Sequence, residues 1–305
     1  MSNFDDIFSK PTVQPEPEAA EQKRPSRKKE WWQVKAEKQK EEAYATLDRM
    51  FLDFSEGTGD VQGYLDTFGR FDRYSARNAL LIHSKNPDAT RLGNYKYWQN
   101  QGVDILKTER NNPIIILEPG NKYRRKDGTT GQNYYAKEVY DISQTSARGQ
   151  IQASVSWDDR LLLKALIHKP PVSIEKTDQL PAEGRGALYS PEQNAIFVKP
   201  GMDAPDIFRS VSLELAKAEL AALHAEQAGD SGYKAYCVSY MLCKKYGVDT
   251  QNYDTSHLNE IFVGKEPDVI KSELKDMENA MGNINSRMAK VLYPERDRSQ
   301  KEPER

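Results

Sequence analysis

One stretch of this chain, residues 206–227, reads DIFRSVSLELAKAELAALHAEQ and limits what the rest can fold into. Ile207, Val211, Glu214 and Ala218 fall on one stripe at helical spacing, with Phe208, Leu215 and Ala222 beside it. The pattern predicts a long helix that turns the Glu214 carboxylate inward, where an unpaired charge is costly. An inward Glu on a core helix is also the layout of an H-E-x-x-H site. There, two His one turn apart bind zinc and the Glu between them acts as general base. Here the five residues are Leu213-Glu214-Leu215-Ala216-Lys217. The Glu is in place and both imidazoles are missing. Leucine has no donor to offer a metal, and a lysine ammonium repels one. Either this helix never held a metal or it has lost its ligands.

At 305 residues the chain has room for two modest domains. Net charge is −2, so a nucleic-acid surface has to be a local patch rather than a property of the whole protein. Cys237 and Cys243 are the two cysteines, a count and spacing that suit neither a disulfide framework nor a C-x-x-C metal knuckle. They read as reduced thiols in a core helix. No run approaches the roughly 18 apolar residues of a membrane-spanning helix, and the acidic N-terminus has no secretory h-region. The expected location is the cytoplasm, with no membrane partner.

Along the chain, residues 1–30 are Pro-rich and poor in apolar side chains, which predicts a disordered tail. Its basic cluster, Lys23, Arg24, Arg27, Lys28 and Lys29, either touches nucleic acid or keeps the tail solvated. Helices are predicted over 31–56, with Val34, Ala43, Leu47, Met50, Phe51 and Phe54 inward, and over 61–68, 75–84 and 95–101. The run 113–117 reads as a buried strand, 121–132 as a hairpin loop, and 134–142 as a second strand with Tyr135, Val139 and Ile142 inward. A domain break is placed near Gly149. A helix over 159–167 follows, then a short run at 172–175 and a strand pair over 186–189 and 195–198 joined by SPEQN. Beyond the 206–227 helix, further helices are predicted over 232–246 and 268–292, and a disordered tail over 294–305. The fold class is α+β, with a helical, small-sheet domain over 31–149 and a second α+β domain over 150–293.

Several stretches resemble ArdC-type antirestriction proteins and the related LtrC-like proteins of conjugative elements. Tyr74-Ser75-Ala76-Arg77-Asn78-Ala79-Leu80-Leu81-Ile82 is similar to that family's aromatic-Ser-x-x-Asn-x-x-Leu-Ile helix. Pro87-Asp88-Ala89-Thr90-Arg91 and Tyr95-Lys96-Tyr97-Trp98 follow at the family's spacing. The segment from Gly102 to Glu109 resembles Gly-x-x-Val-x-x-Gly-Glu, with Thr108 where the family usually has Gly. Val139-Tyr140-Asp141-Ile142-Ser143-Gln144-Thr145 resembles the end of its first domain. In this family the first domain binds single-stranded DNA and the second is a zincin-like metallopeptidase.

The second half is similar too, without the chemistry. The segments 188–191 and 197–200 resemble the hairpin before the catalytic helix. The resemblance then puts Leu213 and Lys217 at the two His positions, Glu214 at the base position and Tyr236 at the third ligand. Losing all three ligands should abolish zinc affinity and leave no activated water. No metal or other cofactor is expected. His83, His168, His224 and His257 are scattered, and no G-x-S-x-G or Gly-rich phosphate loop is present. One expectation is that Lys217 and Tyr236 satisfy the vestigial Glu214. The other is that Lys217 points to solvent and Glu214 is half-buried.

Single strands are held by cations that follow the phosphates and by aromatic faces that stack on bases. The first domain mixes both in Arg73, Tyr74, Arg77, Asn78, Arg91, Tyr95, Lys96, Trp98 and Lys107, and again in the loop containing Lys122, Arg124 and Arg125. Tyr95 and Trp98 lie three apart, so at least one is expected in the core, and Asn78 either reads a base or bridges backbone. The leading expectation is a non-catalytic, single-stranded DNA-binding accessory protein of a mobile element, with restriction or conjugation proteins as further partners. The alternatives are an active hydrolase with an atypical site and a protein–protein adaptor.

Overall fold

The computed structural model describes residues 30–150, 156–180, 186–223 and 232–294. The expectations for residues 1–29, for His224 and for the last residues of both the 206–227 helix and the C-terminal tail fall outside these.

Helix α1 (Trp31–Glu56) buries Ala43, Leu47, Met50, Phe51 and Phe54. It stops at Gly57, whose φ of 75° is a left-handed cap that a glycine adopts without strain. Val34, predicted inward, is exposed. The first turns of α1 meet the body through Lys35 and Gln39, which both reach Glu138, and Val34 is not covered. Helix α2 (Val61–Arg70) starts at Asp60, whose side chain accepts from the Gly63 N–H. Helix α3 (Ala76–Lys85) starts at Ser75, which accepts from the Asn78 N–H.

Strand β1 (Leu92–Gly93) and helix α4 (Tyr95–Asn100) precede a long hairpin, β2 (Ile114–Arg124) and β3 (Thr130–Asp141). The sheet order is β1-β3-β2, antiparallel throughout. The expected loop over 121–132 is mostly ladder, and the turn is confined to residues 125–129. Pro119-Gly120 suggests a break, but the pair sits at a register shift between Pro119 and Lys122. The extra residue there lets pairing resume beyond it. Tyr135, expected inward, is 57% exposed although Val139 on the same face is buried. The hairpin runs past the body, so the same alternation faces core at one end and water at the other.

The second half contributes helix α5 (Asp159–Leu166) and a small sheet of β4 (Ser173–Lys176), β5 (Ala187–Ser190) and β6 (Ala195–Val198). Its order is β4-β6-β5, with β4 parallel and β5 antiparallel to β6. Helix α6 (Ala204–Leu223) packs on β5 and β6, and α7 (Gly232–Tyr246) and α8 (Pro267–Leu292) complete the layer. Phe208 and Leu215 are buried as expected, whereas Ala222 is exposed near the end of α6.

One apolar core runs across the expected boundary near Gly149. It joins Phe54, Tyr64 and Leu80 to Val211, Leu215, Val238 and Met281. Helices α2 and α7 approach closely, and a Cβ at Gly69 would stand 3.1 Å from the Met241 carbonyl oxygen. The Tyr240 hydroxyl donates to Asp66 at 2.7 Å and Lys245 pairs with Asp72 at 2.5 Å along the same contact. Ion pairs also fix α8: Arg287 meets Glu219 at 2.6 Å and Lys234 meets Asp276 at 2.9 Å.

Candidate functional site

Glu214 is buried at 3% exposure, and both of its carboxylate oxygens are engaged. Oε2 accepts from the Tyr189 N–H of β5 at 2.8 Å, and Oε1 faces Lys217 Nζ at 2.7 Å. The carboxylate thus ties α6 to its sheet. Two thirds of the expected cluster forms. Tyr236 is the correction: its hydroxyl donates to the Asp254 carbonyl at 3.3 Å, and its ring packs on Tyr253 with centroids 5.1 Å apart. Tyr253 captures Tyr236 because it also anchors a buried chain of hydroxyls between α6 and α7. The Ser212 and Ser239 hydroxyls lie 2.6 Å apart, and Ser239 lies 2.6 Å from the Tyr253 hydroxyl.

These residues do not fit a divalent metal. Leu213 packs against the apolar core. Lys217 puts an ammonium where a cation would have to sit beside Glu214. Burial raises the Tyr236 phenol above its ordinary pKa, which disfavours the anionic form a metal would bind. Among the described residues, no group of three His, Cys, Asp or Glu side chains stands close enough to hold an ion.

The residues expected to contact DNA divide into two groups. Asn78 is buried, with its amide donating to the Leu117 carbonyl at 3.0 Å and its oxygen accepting from the Leu117 N–H at 2.8 Å. This pair of hydrogen bonds, in a side chain 7% exposed, makes Asn78 a bridge to the β2 backbone. Trp98 is 1% exposed and its indole donates to the Tyr140 carbonyl at 3.0 Å, so it belongs to a core cluster with Ile105 and Ile142. Arg91 lies over the Tyr97 and Trp98 rings and donates to the Tyr97 hydroxyl at 2.7 Å.

Of the remaining residues, Tyr74 and Arg77 are half-buried, Tyr74 packing on the cluster around Phe71 and Ile82 and Arg77 donating to the Tyr134 hydroxyl at 2.9 Å, and the others are on the surface. Arg73, Lys96, Lys107, Lys122, Arg124 and Arg125 are exposed, and Tyr95 is 48% exposed. Arg73, Tyr74 and Arg77 line a cleft of about 720 Å³ between the start of α3, strand β2 and helix α8. Tyr134 closes one side, beneath the Arg77 guanidinium at 4.8 Å. The cleft also holds Lys271 and Lys275 of α8, which sequence reasoning did not connect to it. They lie far along the chain on an amphipathic helix, where a lysine is ordinary. On the projecting hairpin, Tyr123 and Tyr135 are exposed aromatics with glycines opposite them. A Cβ at Gly131 would meet the Tyr123 ring, and one at Gly120 would meet Tyr135.

No protein-family model matches the chain. An uncharacterized protein of Bacillus anthracis is 24% identical over 89% of this chain, which spans 55% of that relative's length. The fold is similar to the metal-free crystal structure of the antirestriction ArdC protein from plasmid R388, with a TM-score of 0.50 and 12% identity. That match covers 81% of this chain and 97% of the other. The Mn(II)-bound form of the same protein superposes with a TM-score of 0.48 at 14% identity, over 81% and 98% of the two chains. This chain therefore has an ArdC-like α+β fold. Among the described residues, no helix is long and apolar enough to cross a membrane.

Proposed function

We propose that this chain is a non-catalytic, single-stranded DNA-binding protein of a mobile element, antirestriction-like in role, whose α6–α7 layer serves as scaffold. The observation that carries this reading is the cationic, aromatic-walled cleft where Arg73, Tyr74 and Arg77 meet Lys271 and Lys275. Guanidinium and ammonium groups beside tyrosine rings suit a phosphate backbone with unpaired bases, whose stacking contributes on the order of 1–3 kcal/mol per base. The hairpin tip, with Lys122, Arg124 and Arg125 beside Tyr123, offers a second contact of the same kind. The ArdC-like fold supports the antirestriction-like part of this reading. Restriction or conjugation proteins are further partners on this reading.

The non-catalytic part of the reading rests on Leu213, Lys217 and Tyr236 and their contacts. A fluorescence polarisation titration with a labelled oligonucleotide at two salt concentrations tests the binding. The expected result is binding at low salt that weakens as salt rises, and further with Arg77→Ala or Tyr74→Ala. No binding at low salt overturns the reading. Tightly held stoichiometric zinc in the purified protein would favour a hydrolase instead.

A further inference from the structure

The first cleft does not end at α3. A second cleft of about 560 Å³ opens beside it, between the α2–α3 connection, the end of α7 and the far half of α8. Arg73 lines both clefts. Together they carry Arg73, Arg77, Lys245, Lys271, Lys275 and Lys290 against the carboxylates of Asp72, Glu118 and Glu278. In a chain of net charge −2, this is a concentrated positive surface. Some of the charge is already committed: Lys275 pairs with Glu278, Lys271 with Asp268 and Lys245 with Asp72. Arg73 and Lys290 are exposed and make no ion pair with any described residue.

Helix α8 forms the floor of both clefts. Lys271, Lys275, Gly282, Ser286 and Lys290 follow one another at four- and seven-residue steps, so they share a face. The opposite face carries the buried Ile270, Leu274, Met277 and Met281. From Lys271 to Lys290 the helix axis rises about 28 Å. Gly282 lies in the middle of this face. Glycine weakens a helix interior, so a packing reason would be expected, yet a Cβ built there meets nothing within 4 Å. Among the described residues, none needs the space.

We propose that a single DNA strand lies along α8, its phosphates passing from Lys271 and Lys275 over Gly282, beside Arg73, to Lys290. This extends the binding surface of the reading above, on which it rests, from the first half of the chain into the second. Tyrosines line both clefts, Tyr74 and Tyr134 in the first and Tyr246 and Tyr293 in the second, the kind of side chain on which bases stack. Tyr74 and Tyr293 already pack edge-on against Phe71 and Trp157.

The test compares the full chain with Lys290→Gln, Lys275→Gln/Lys290→Gln and Gly282→Glu, titrated against a labelled oligonucleotide across a salt series. Lys176→Gln, exposed on β4, is the charge-matched control. Lys290→Gln should weaken binding roughly three- to ten-fold at low salt. The double variant should lower the slope of log affinity against log salt by about 1.4, at ~0.7 per phosphate released. Gly282→Glu should abolish binding with an unchanged or raised Tm, because the added side chain has open space and a better helix former replaces glycine. If the unaltered chain binds and Arg124→Gln/Arg125→Gln weakens it while the α8 variants do not, the strand path is overturned and the binding reading survives. If the unaltered chain fails to bind at low salt, both fall. An equal loss in Lys176→Gln, or equal affinity for a poly-glutamate peptide, also overturns the path.

Discussion

The Lys217 ammonium stands 2.7 Å from Glu214 Oε1, one turn along the same helix. The carboxylate is buried at 3%, whereas the lysine side chain keeps 29% of its surface in water. A buried carboxylate is therefore neutralised by a cation that pays little desolvation. With the Tyr189 N–H on its other oxygen, Glu214 has become a structural link between α6 and β5.

Removing one partner of this pair should cost more than removing both. Lys217→Met leaves a buried carboxylate with one backbone donor and should destabilise the protein by about 1–3 kcal/mol. Glu214→Gln keeps an acceptor for Tyr189 and should cost less. Glu214→Leu combined with Lys217→Met should recover part of the single-variant loss. Urea unfolding curves measure all three. Zinc should leave the Tm of the unaltered chain where it is, since a ligand that binds the folded state would raise it.

Asn78 holds the backbone of Leu117 with two hydrogen bonds in a buried setting. Asn78→Ala should strand both Leu117 groups and destabilise by about 2–3 kcal/mol. Asn78→Asp should also be destabilising, because a buried carboxylate faces the Leu117 carbonyl. Thermal unfolding checks both. A role for Asn78 in reading bases predicts unchanged stability and abolished oligonucleotide binding.

Both thiols are buried in α7. Burial pushes Cys237 up to about 12 and Cys243 up to about 11. The thiolate is the reactive form, so a thiol reagent near neutral pH should label neither residue in the native protein. In denaturant it should label both. Fast native labelling of one cysteine would contradict the packing of α7.

His83 makes stability depend on pH. It is buried against Thr67, with its Nδ1 at 3.2 Å from the Thr67 hydroxyl. Burial lowers its pKa from the ordinary 6.5, and the attraction of Asp60 offsets only part of that. The folded state holds fewer protons on this ring than the unfolded chain between the lowered value and 6.5. Stability therefore rises with pH through that window and is lost on acidification. Tm measured from about pH 5 to pH 8 should rise through the window, and His83→Gln should flatten that part of the curve.

At the hairpin tip, Arg124→Gln/Arg125→Gln should leave Tm unchanged, since both residues are exposed. Oligonucleotide binding should weaken, with a salt dependence shallower by about 0.7 for each phosphate that is no longer held. Tm and polarisation titrations of the same preparation separate folding from binding.

Much of the secondary structure was legible because periodicity reports which face of an element is apolar. α1, β6 and α7 run as read, and the inward Glu214 followed from helical spacing alone. The chemistry of Leu213-Glu214-Leu215-Ala216-Lys217 was equally legible, since a missing donor is a property of residue type. Periodicity does not say what covers a face. Tyr135 and Val139 share one face of β3, yet one faces water and the other core, because β3 runs beyond the body. Trp98 and Tyr95 lie on one short helix, and the position of the Tyr140 carbonyl decided which became core.

Residue types and spacing alone determined most of the helices, the short strands β5 and β6, the α+β class and the lack of imidazole at Leu213 and Lys217. Tertiary structure alone decided that α2 and α7 share a core, that Tyr253 takes Tyr236 from Glu214, and that α8 carries Lys271 and Lys275 to the cleft of Arg73. These pairings join residues far apart in the chain. Local patterning cannot encode them, because the energy that selects them comes from burying faces against one another.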